Sequence, residues 1–142
     1  MMSNNAENEY IYVMVYGTLM RGQYNNGYMD LAQAIYVDDV VSDLSEYRMV
    51  GVSNSFPGIV AGDKKFEGEL FKVPASGVVH YLDRLEGYPY MYDRGFITVK
   101  SKTSNMKYTA LVYFLTPMFI KETKLDLVSP YITLKNNVYK WN

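Results

Sequence analysis

The stretch YIYVMVYGTL, residues 10–19, decides the fold. Residues 10–16 are rich in β-branched and aromatic side chains, which predicts a β-strand. Both faces of this strand are apolar, which is typical of a strand at the centre of a sheet. Gly17 ends the strand, and residues 18–30 contain Gly22, Gly27 and three Asn or Gln residues. That composition predicts a long polar loop, and long loops inside small domains are often functional.

Further short strands are predicted on the C-terminal side of this loop. Pro and Gly residues mark turns between them, at 54–58 and at 62–65. The strand-like runs are 31–41, 47–52, 59–61, 66–73, 96–100 and 107–115.

The hydrophobic period changes in the middle of the chain. Val78, Leu82 and Leu85 are spaced by four and three residues, the spacing of one helical face. We predict a helix over about 77–85, with Ser76 as its N-cap and Gly87 as its stop signal. Segments 117–124 and 130–141 are ambiguous. Many short strands with one clear helix predict an α+β fold, built on a small mixed β-barrel-like sheet with few helices.

Length and composition restrict the class of protein. The 142 residues suit a single domain, 1–142, with a core of about 10–116 and a C-terminal tail of 117–142. Fourteen basic residues balance fifteen acidic ones, which argues against electrostatic binding to nucleic acid or to a membrane surface. There is no cysteine, and the first nine residues are polar and acidic, unlike a signal peptide. We therefore expect a cytoplasmic protein.

Several catalytic classes lack their residues in this sequence. The single histidine, His80, has no second histidine or cysteine with which to build a zinc site. The sequence has no G-x-S-x-G elbow, no G-x-x-x-x-G-K-[ST] loop and no G-x-G-x-x-G turn. What remains is chemistry by carboxylates and backbone amides.

Three segments are candidates for that chemistry. The YGTL turn at 16–19 ends an apolar strand, so its N–H groups either form an anion-binding concavity or belong to an ordinary strand-to-loop turn. Glu86 stands where the apolar helical face ends. It is either a solvated helix-end residue or an inward carboxylate whose pKa burial would raise towards neutrality. The aromatic run 88–94 either walls a pocket or packs as a loop on the sheet.

Taken together, these segments resemble the gamma-glutamyl cyclotransferase-like family, which includes gamma-glutamylamine cyclotransferases and avirulence-induced-gene (AIG2-like) proteins. Each motif is weak alone, but five in the same order are specific, and they span roughly residues 11–115. The motifs are VMVYGTL at 13–19, FPGI at 56–59, GELF at 68–71, LDRLEGY at 82–88 with Tyr92 and Arg94 downstream, and VY at 112–113.

The resemblance implies a fold, a site and a reaction. It implies a small mixed-sheet barrel with a cavity, in which Glu86 is the catalytic carboxylate. No metal or organic cofactor is implied, and the partner is a small-molecule gamma-glutamyl substrate rather than nucleic acid or membrane. Monomer and homodimer remain equally open. The substrate-binding residues that it implies are Tyr16, Gly17, Thr18, Leu19, Pro57, Gly58, Tyr92 and Tyr113.

The implied reaction is an intramolecular cyclisation. The substrate's α-amino group attacks its own γ-carbonyl carbon, which releases 5-oxoproline and an amine and benefits from positioning. Glu86 would serve first as base and then as acid. Two alternatives stay open: a catalytically inactive small-ligand-binding module on the same fold, and a related amide-processing enzyme of a biosynthetic pathway. The leaving group would be set at the pocket mouth, for which the candidates are Tyr24, Tyr28, Tyr90 and the C-terminal tail.

Overall fold

A computed structural model describes residues 9–142 of the chain. The polar N-terminal stretch discussed above lies almost wholly outside the described residues, in 1–8. The β-strands are β1 Tyr10–Val15, β2 Ile35–Ser42, β3 Tyr47–Val52, β4 Phe56–Ala61, β5 Lys65–Pro74, β6 Tyr92–Ser101, β7 Lys107–Leu115, β8 Leu125–Asp126, β9 Ile132–Lys135 and β10 Val138–Trp141. The helices are α1 Gly27–Leu31, α2, which runs through Ala75–Gly77, Val78–Leu82 and Asp83–Leu85, and α3 Pro117–Glu122.

Five strands close into a barrel. Their order is β1-β7-β6-β2-β5, and β1 also pairs with β5, which joins the two ends of the series. The β1–β7 pair is parallel, with Val13 opposite Leu111, whereas the other barrel pairs are antiparallel. The predicted α+β fold with a mixed barrel-like sheet is confirmed.

Strand β1 is apolar on both faces because each face packs against a different core. Side chains alternate across a strand, so Met14 and Tyr16 point into the barrel with residues from the other four strands. Val13 and Val15 point outward, where helices α1 and α2 cover them. The sequence pattern of a central strand is thus explained by a barrel wall with helices on its outside.

A second sheet and the tail complete the molecule. Strands β4, β3 and β8 form a three-stranded sheet in that order, and the β9–β10 hairpin extends the barrel by pairing β10 with β5. Trp141, in the last strand, is buried against the barrel core. The two segments that the sequence left ambiguous are therefore a helix, α3, and this hairpin. The single-domain organisation over 1–142 stays a prediction.

Three strand boundaries predicted from the sequence are wrong. The strand expected over 96–100 already begins at Tyr92, as β6. The strand expected over 31–41 begins only at Ile35, because the end of the expected loop folds into α1. Phe56, Pro57 and Gly58, expected in a turn, begin strand β4. The turn lies before them, where Ser53 and Asn54 take positive φ. Proline is tolerated in β4 because that strand is at the edge of its sheet and its missing N–H breaks no ladder bond.

Helix α2 occurs where the period predicted it, but its start differs. It begins at Ala75, after Pro74, and Ser76 lies inside the helix instead of capping it. Its middle segment, Val78–Leu82, is a π-helical turn, a feature frequent at functional sites. Gly87 ends the helix with φ of +65°, as predicted. No helix in residues 9–142 has both the length and the apolar character needed to cross a bilayer.

Candidate active site

A cavity of about 230 Å³ lies where the end of β1, the start of β4 and the end of α2 meet. It is formed by residues from distant parts of the chain, so it exists only in the folded protein. Its walls are Met14, Val15, Tyr16, Gly17, Thr18, Leu19, Tyr24, Asn25, Phe56, Pro57, Leu85, Glu86, Met91, Tyr92 and Tyr113.

The turn after β1, residues 16–19, lines this cavity and is fixed by side-chain hydrogen bonds. The side-chain amide of Asn25 donates to Thr18 Oγ1 at 3.0 Å, and that of Asn26 donates to the carbonyl oxygen of Leu19 at 2.9 Å. Within residues 9–142, the N–H groups of Gly17, Thr18 and Leu19 have no hydrogen-bond acceptor. Three successive unpaired N–H groups at a cavity wall suit an anionic or carbonyl oxygen.

Gly17 is required by close packing. A Cβ atom at this position would lie 2.7 Å from the Cγ and Cδ atoms of Pro57 in β4. Any side chain there would push Pro57 aside or displace the turn. The glycine therefore fixes the distance between the turn and strand β4.

Glu86 lies at the C-terminal end of α2, where the helix stops and its side chain lines the cavity. The residue is partly buried, and among the described residues no donor is hydrogen-bonded to its carboxylate. Burial raises the pKa of Glu86 from its ordinary 4.5 to about 7. A carboxyl group with this pKa can accept and return a proton near neutral pH, which is what general acid–base catalysis needs.

Three buried tyrosines surround Glu86, and each donates its phenolic proton elsewhere. Tyr16 donates to the carbonyl oxygen of Tyr113 at 2.7 Å, Tyr92 to that of Pro57 at 2.7 Å, and Tyr113 to Asp83 Oδ1 at 2.6 Å. Burial, with the charge of Glu86 as a smaller cause, raises the pKa of each phenol above its ordinary value. The phenols therefore remain protonated, and Glu86 is the group in this cavity suited to proton transfer.

Asp83 fixes the end of α2 to the barrel. Its carboxylate accepts from Arg94 Nη1 at 2.9 and 2.7 Å, and from the Tyr113 hydroxyl. Arg94 is on β6, Tyr113 is on β7, and the guanidinium carbon of Arg94 lies 4.3 Å from the centre of the Tyr88 ring. These contacts hold the last turn of α2, and with it Glu86, against two adjacent strands.

The structure brings all but one of the predicted site residues together. Gly58 is the exception: it is buried in β4 beside Leu115, with no space for a Cβ, and does not line the cavity. Of the three tyrosines expected at the mouth, Tyr24 lines the cavity, whereas Tyr28 and Tyr90 do not. Cavity residues that the sequence did not single out are Met14, Val15, Asn25, Phe56, Leu85 and Met91.

The sequence also gave no role to Asp83 and Arg94. The available signal was the position of Asp83, three residues before Glu86 on the predicted helix, next to an apolar face. An acidic residue so placed is expected to have a cationic partner. The identity of that partner depends on the packing of β6 against α2.

Comparison of the sequence with models of known protein families finds a match. A model of the family described as gamma-glutamyl cyclotransferase, AIG2-like, matches residues 13–131. A search of curated protein sequences finds no match.

Several solved structures share the fold. An AIG2-like protein from Mus musculus has 24% identity and a TM-score of 0.69, over 81% of this chain and 82% of that one. A uropathogenic E. coli-specific protein, c4763, has 20% identity and a TM-score of 0.64, over 82% and 87%. A gamma-glutamyl cyclotransferase has 16% identity and a TM-score of 0.59, over 76% and 68%. At these identities the likeness establishes the fold alone.

Proposed function

The chain belongs to the gamma-glutamyl cyclotransferase, AIG2-like family, and from this premise we propose that it releases 5-oxoproline and an amine from a gamma-glutamyl amine or gamma-glutamyl peptide. The α-nitrogen of the substrate forms a bond to its own γ-carbonyl carbon, and the bond between that carbon and the amide nitrogen breaks. Two protons leave the α-nitrogen as it changes from an ammonium group to a lactam N–H, and both end on the departing nitrogen, which leaves as an ammonium ion. The reaction therefore balances without any oxidant, reductant or co-substrate.

One observation carries this proposal. Glu86, a carboxyl group without a hydrogen-bond partner in residues 9–142 and with a pKa of about 7, shares a cavity with the unpaired N–H groups of Gly17, Thr18 and Leu19. A proton-transfer group and hydrogen-bond donors for an oxygen are the two elements that this acyl transfer requires.

The steps follow from these groups. Ionised Glu86 takes a proton from the substrate's α-ammonium, and the freed amine attacks the γ-carbonyl carbon in a five-membered ring closure. The N–H groups at 17–19 stabilise the negative charge that develops on the carbonyl oxygen. Protonated Glu86 then donates to the departing nitrogen, which restores the carboxylate. The carboxylate takes the second proton from the ring nitrogen and passes it to the departing amine, which leaves as an ammonium ion.

The remaining features of the proposal concern cofactors, partners and location. The chemistry is assigned to this chain's own side chains and backbone, with no cofactor. The near-neutral charge supports a small-molecule substrate instead of a nucleic acid or membrane partner. The absence of cysteine from the sequence fits a cytoplasmic location.

The test is release of 5-oxoproline, measured by mass spectrometry. Purified protein is incubated with gamma-glutamyl amines, gamma-glutamyl amino acids and gamma-glutamyl-lysine, beside Glu86→Gln and a control, Glu122→Gln. Glu122 is exposed on α3, so its variant reports the effect of the same substitution away from the cavity. We expect release by wild type and Glu122→Gln and loss of release in Glu86→Gln.

Two results would contradict the proposal. Wild-type release by Glu86→Gln would remove Glu86 from the mechanism. No release by well-folded wild type from any compound would favour a binding module or an amide-processing enzyme with another acyl group.

A further inference from the structure

The turn after β1 contains hydrogen-bond acceptors and donors, and the protein occupies only the acceptors. The carbonyl oxygens of Gly17 and Thr18 accept from backbone N–H groups at 3.1 and 3.0 Å. The Leu19 carbonyl oxygen and the Thr18 hydroxyl oxygen accept from the side-chain amides of Asn26 and Asn25, at 2.9 and 3.0 Å. Every acceptor oxygen of these three turn residues therefore has a partner within the chain.

The donor groups of the same turn have no such partners. In residues 9–142, neither the N–H groups at 17–19 nor the Thr18 hydroxyl donates to a protein acceptor. All of these groups belong to residues of the cavity wall, which also contains Glu86. The turn thus offers hydrogen-bond donors to the cavity, and the hydroxyl adds a fourth donor to the three N–H groups.

The bond between Asn25 and Thr18 decides where the hydroxyl proton can go. A threonine hydroxyl carries one proton and accepts through two lone pairs, whereas an amide nitrogen only donates. Because the Asn25 side-chain nitrogen supplies the proton of this 3.0 Å bond, the hydroxyl proton is not used in it. The backbone N–H of Asn25 also donates to the Thr18 carbonyl, which fixes the two residues relative to each other. The hydroxyl proton is therefore left for a ligand in the cavity.

The hydroxyl differs from the backbone N–H groups in its freedom to rotate. Rotation about the C–O bond changes the direction of the proton, whereas the direction of an N–H group is fixed by the backbone. During ring closure the γ-carbon becomes tetrahedral, so the carbonyl oxygen changes position while it gains negative charge. A donor that rotates can follow this oxygen, and hydrogen bonds to an ionised oxygen are stronger than neutral ones.

We propose that the Thr18 hydroxyl is a further catalytic donor, which binds the oxyanion formed from the γ-carbonyl, and that Asn25 is its positioning residue. This inference rests on the proposed function, because it adds a group to the mechanism of the same site. Asn25 acts through Thr18 alone, by donating to the hydroxyl oxygen and leaving the hydroxyl proton free for the substrate.

Removal of the hydroxyl is the first test. Thr18→Val keeps the shape of the side chain and loses the donor, so we expect kcat for 5-oxoproline release to fall by about 10–100-fold, with KM changed by less than about threefold. Thr18→Ser restores a hydroxyl and should recover most of this loss. Thr109→Val is the control for the substitution itself, because Thr109 is exposed on β7 and absent from the cavity wall.

Two outcomes of this test would overturn the inference and leave the proposed reaction standing. A higher KM with unchanged kcat would mean that the hydroxyl binds the substrate before reaction instead of the oxyanion. Equal kcat values in Thr18→Val and Thr18→Ser would mean that the hydroxyl has no part in turnover.

The role of Asn25 is tested by reversing the polarity of its bond. Asn25→Asp replaces the donor by a carboxylate, which accepts the hydroxyl proton and withdraws it from the cavity. We expect kcat to fall by about tenfold in this variant, and by less than about twofold when the same substitution is added to Thr18→Val. The effect of the new charge on Glu86 is present in both backgrounds, so it cancels from the comparison.

Asn26→Asp is the matched control, because Asn26 donates to the Leu19 carbonyl oxygen and not to the hydroxyl. Its effect on kcat should be the same with and without Thr18→Val. Equal effects of Asn25→Asp in the two backgrounds would overturn the positioning role and leave the proposed reaction intact. Failure of wild type to release 5-oxoproline from any compound would remove the proposed function, and this inference with it.

Discussion

Asp83 and Glu86 are carboxylates three residues apart on the same helix, in two opposite environments. Asp83 is 8% exposed and accepts hydrogen bonds from Arg94 on β6 and Tyr113 on β7. Glu86 is partly buried, yet within residues 9–142 it has no hydrogen-bond partner, and burial raises its pKa to about 7.

The difference shows how one helix end supplies both an anchor and a reactive group. A buried carboxylate that accepts hydrogen bonds from two strands ties those elements together. A buried carboxylate without partners loses hydration, so its charged form is destabilised and its proton is exchangeable near pH 7. The anchor keeps the reactive group in place, which suits catalysis because small displacements of a catalytic group are costly.

Turnover is expected to show the largest contrast between the two residues. Glu86→Gln removes the proton acceptor, so we expect kcat to fall by about 10²–10⁴-fold. Asp83→Asn acts only through the position of α2, so we expect kcat to fall by about tenfold with the pH profile unchanged in shape. Release of 5-oxoproline from the best substrate measures both. Equal losses in the two variants would contradict the separation of roles.

Stability is expected to show the next largest contrast. Asp83→Asn leaves the Arg94 charge without its partner, which should lower the free energy of unfolding by about 2–3 kcal/mol. This is less than for a fully buried pair, because the Arg94 side chain is 28% exposed. Urea denaturation of the wild type and the variant measures this loss in the free energy of unfolding.

The control for this prediction is Asp63→Asn. Asp63 pairs with Lys64 at 3.4 Å, but its side chain is 86% exposed. We expect a change within about 0.5 kcal/mol in this variant. Similar losses in both variants would show that the Asp83 network contributes no more than a surface pair.

Glu86→Gln is expected to change stability in the opposite direction. The carboxyl binds its proton more tightly in the folded protein than in the unfolded chain, so the stability of wild type falls as pH rises from about 4.5 to about 7. Glutamine has no charge to lose hydration, and we expect the variant to be more stable by about 3 kcal/mol at pH 8 and equal to wild type at pH 4. Denaturation at both pH values checks this. A variant less stable than wild type at pH 8 would mean that the Glu86 carboxylate has stabilising partners.

The pH dependence of activity is expected to show the smallest effect. Because the ionised form of Glu86 starts the reaction, kcat/KM should rise by about tenfold between pH 6 and pH 8, with an apparent pKa of about 7. Initial rates at low substrate concentration measure this profile. A rise centred near the ordinary value of 4.5 would indicate a solvated carboxylate.

Local pattern was sufficient for much of the fold. The β-branched and aromatic run at 10–16, the helical spacing of Val78, Leu82 and Leu85, and the stop at Gly87 each depend on neighbours in the chain, and the corresponding elements are confirmed. The predicted turn at Pro57 is wrong because an edge strand tolerates proline, and edge position is a property of the sheet. The start of α2 at Ala75 is not marked by a capping side chain, so Ser76 was the better local candidate.

For the candidate site, the order of the motifs indicated which residues to consider, and the folded chain decided their surroundings. Gly58 belongs to the same short motif as Pro57 but faces Leu115, because successive residues of a strand point to opposite sides. Phe56 and Met91 line the cavity without belonging to any catalytic pattern, since a cavity wall requires only apolar bulk.

The sequence by itself determined an α+β barrel-like fold, the family, and the position of Glu86 at a helix end. Only the tertiary structure decided whether that carboxylate is solvated or buried, and which of two nearby carboxylates has partners. The physical reason is the separation along the chain between the residues whose contacts decide each feature. Strand composition and helix termination depend on adjacent residues. Pairing of Asp83 depends instead on Arg94 and Tyr113, 11 and 30 residues away, and desolvation of Glu86 depends on cavity residues from β1 and β4.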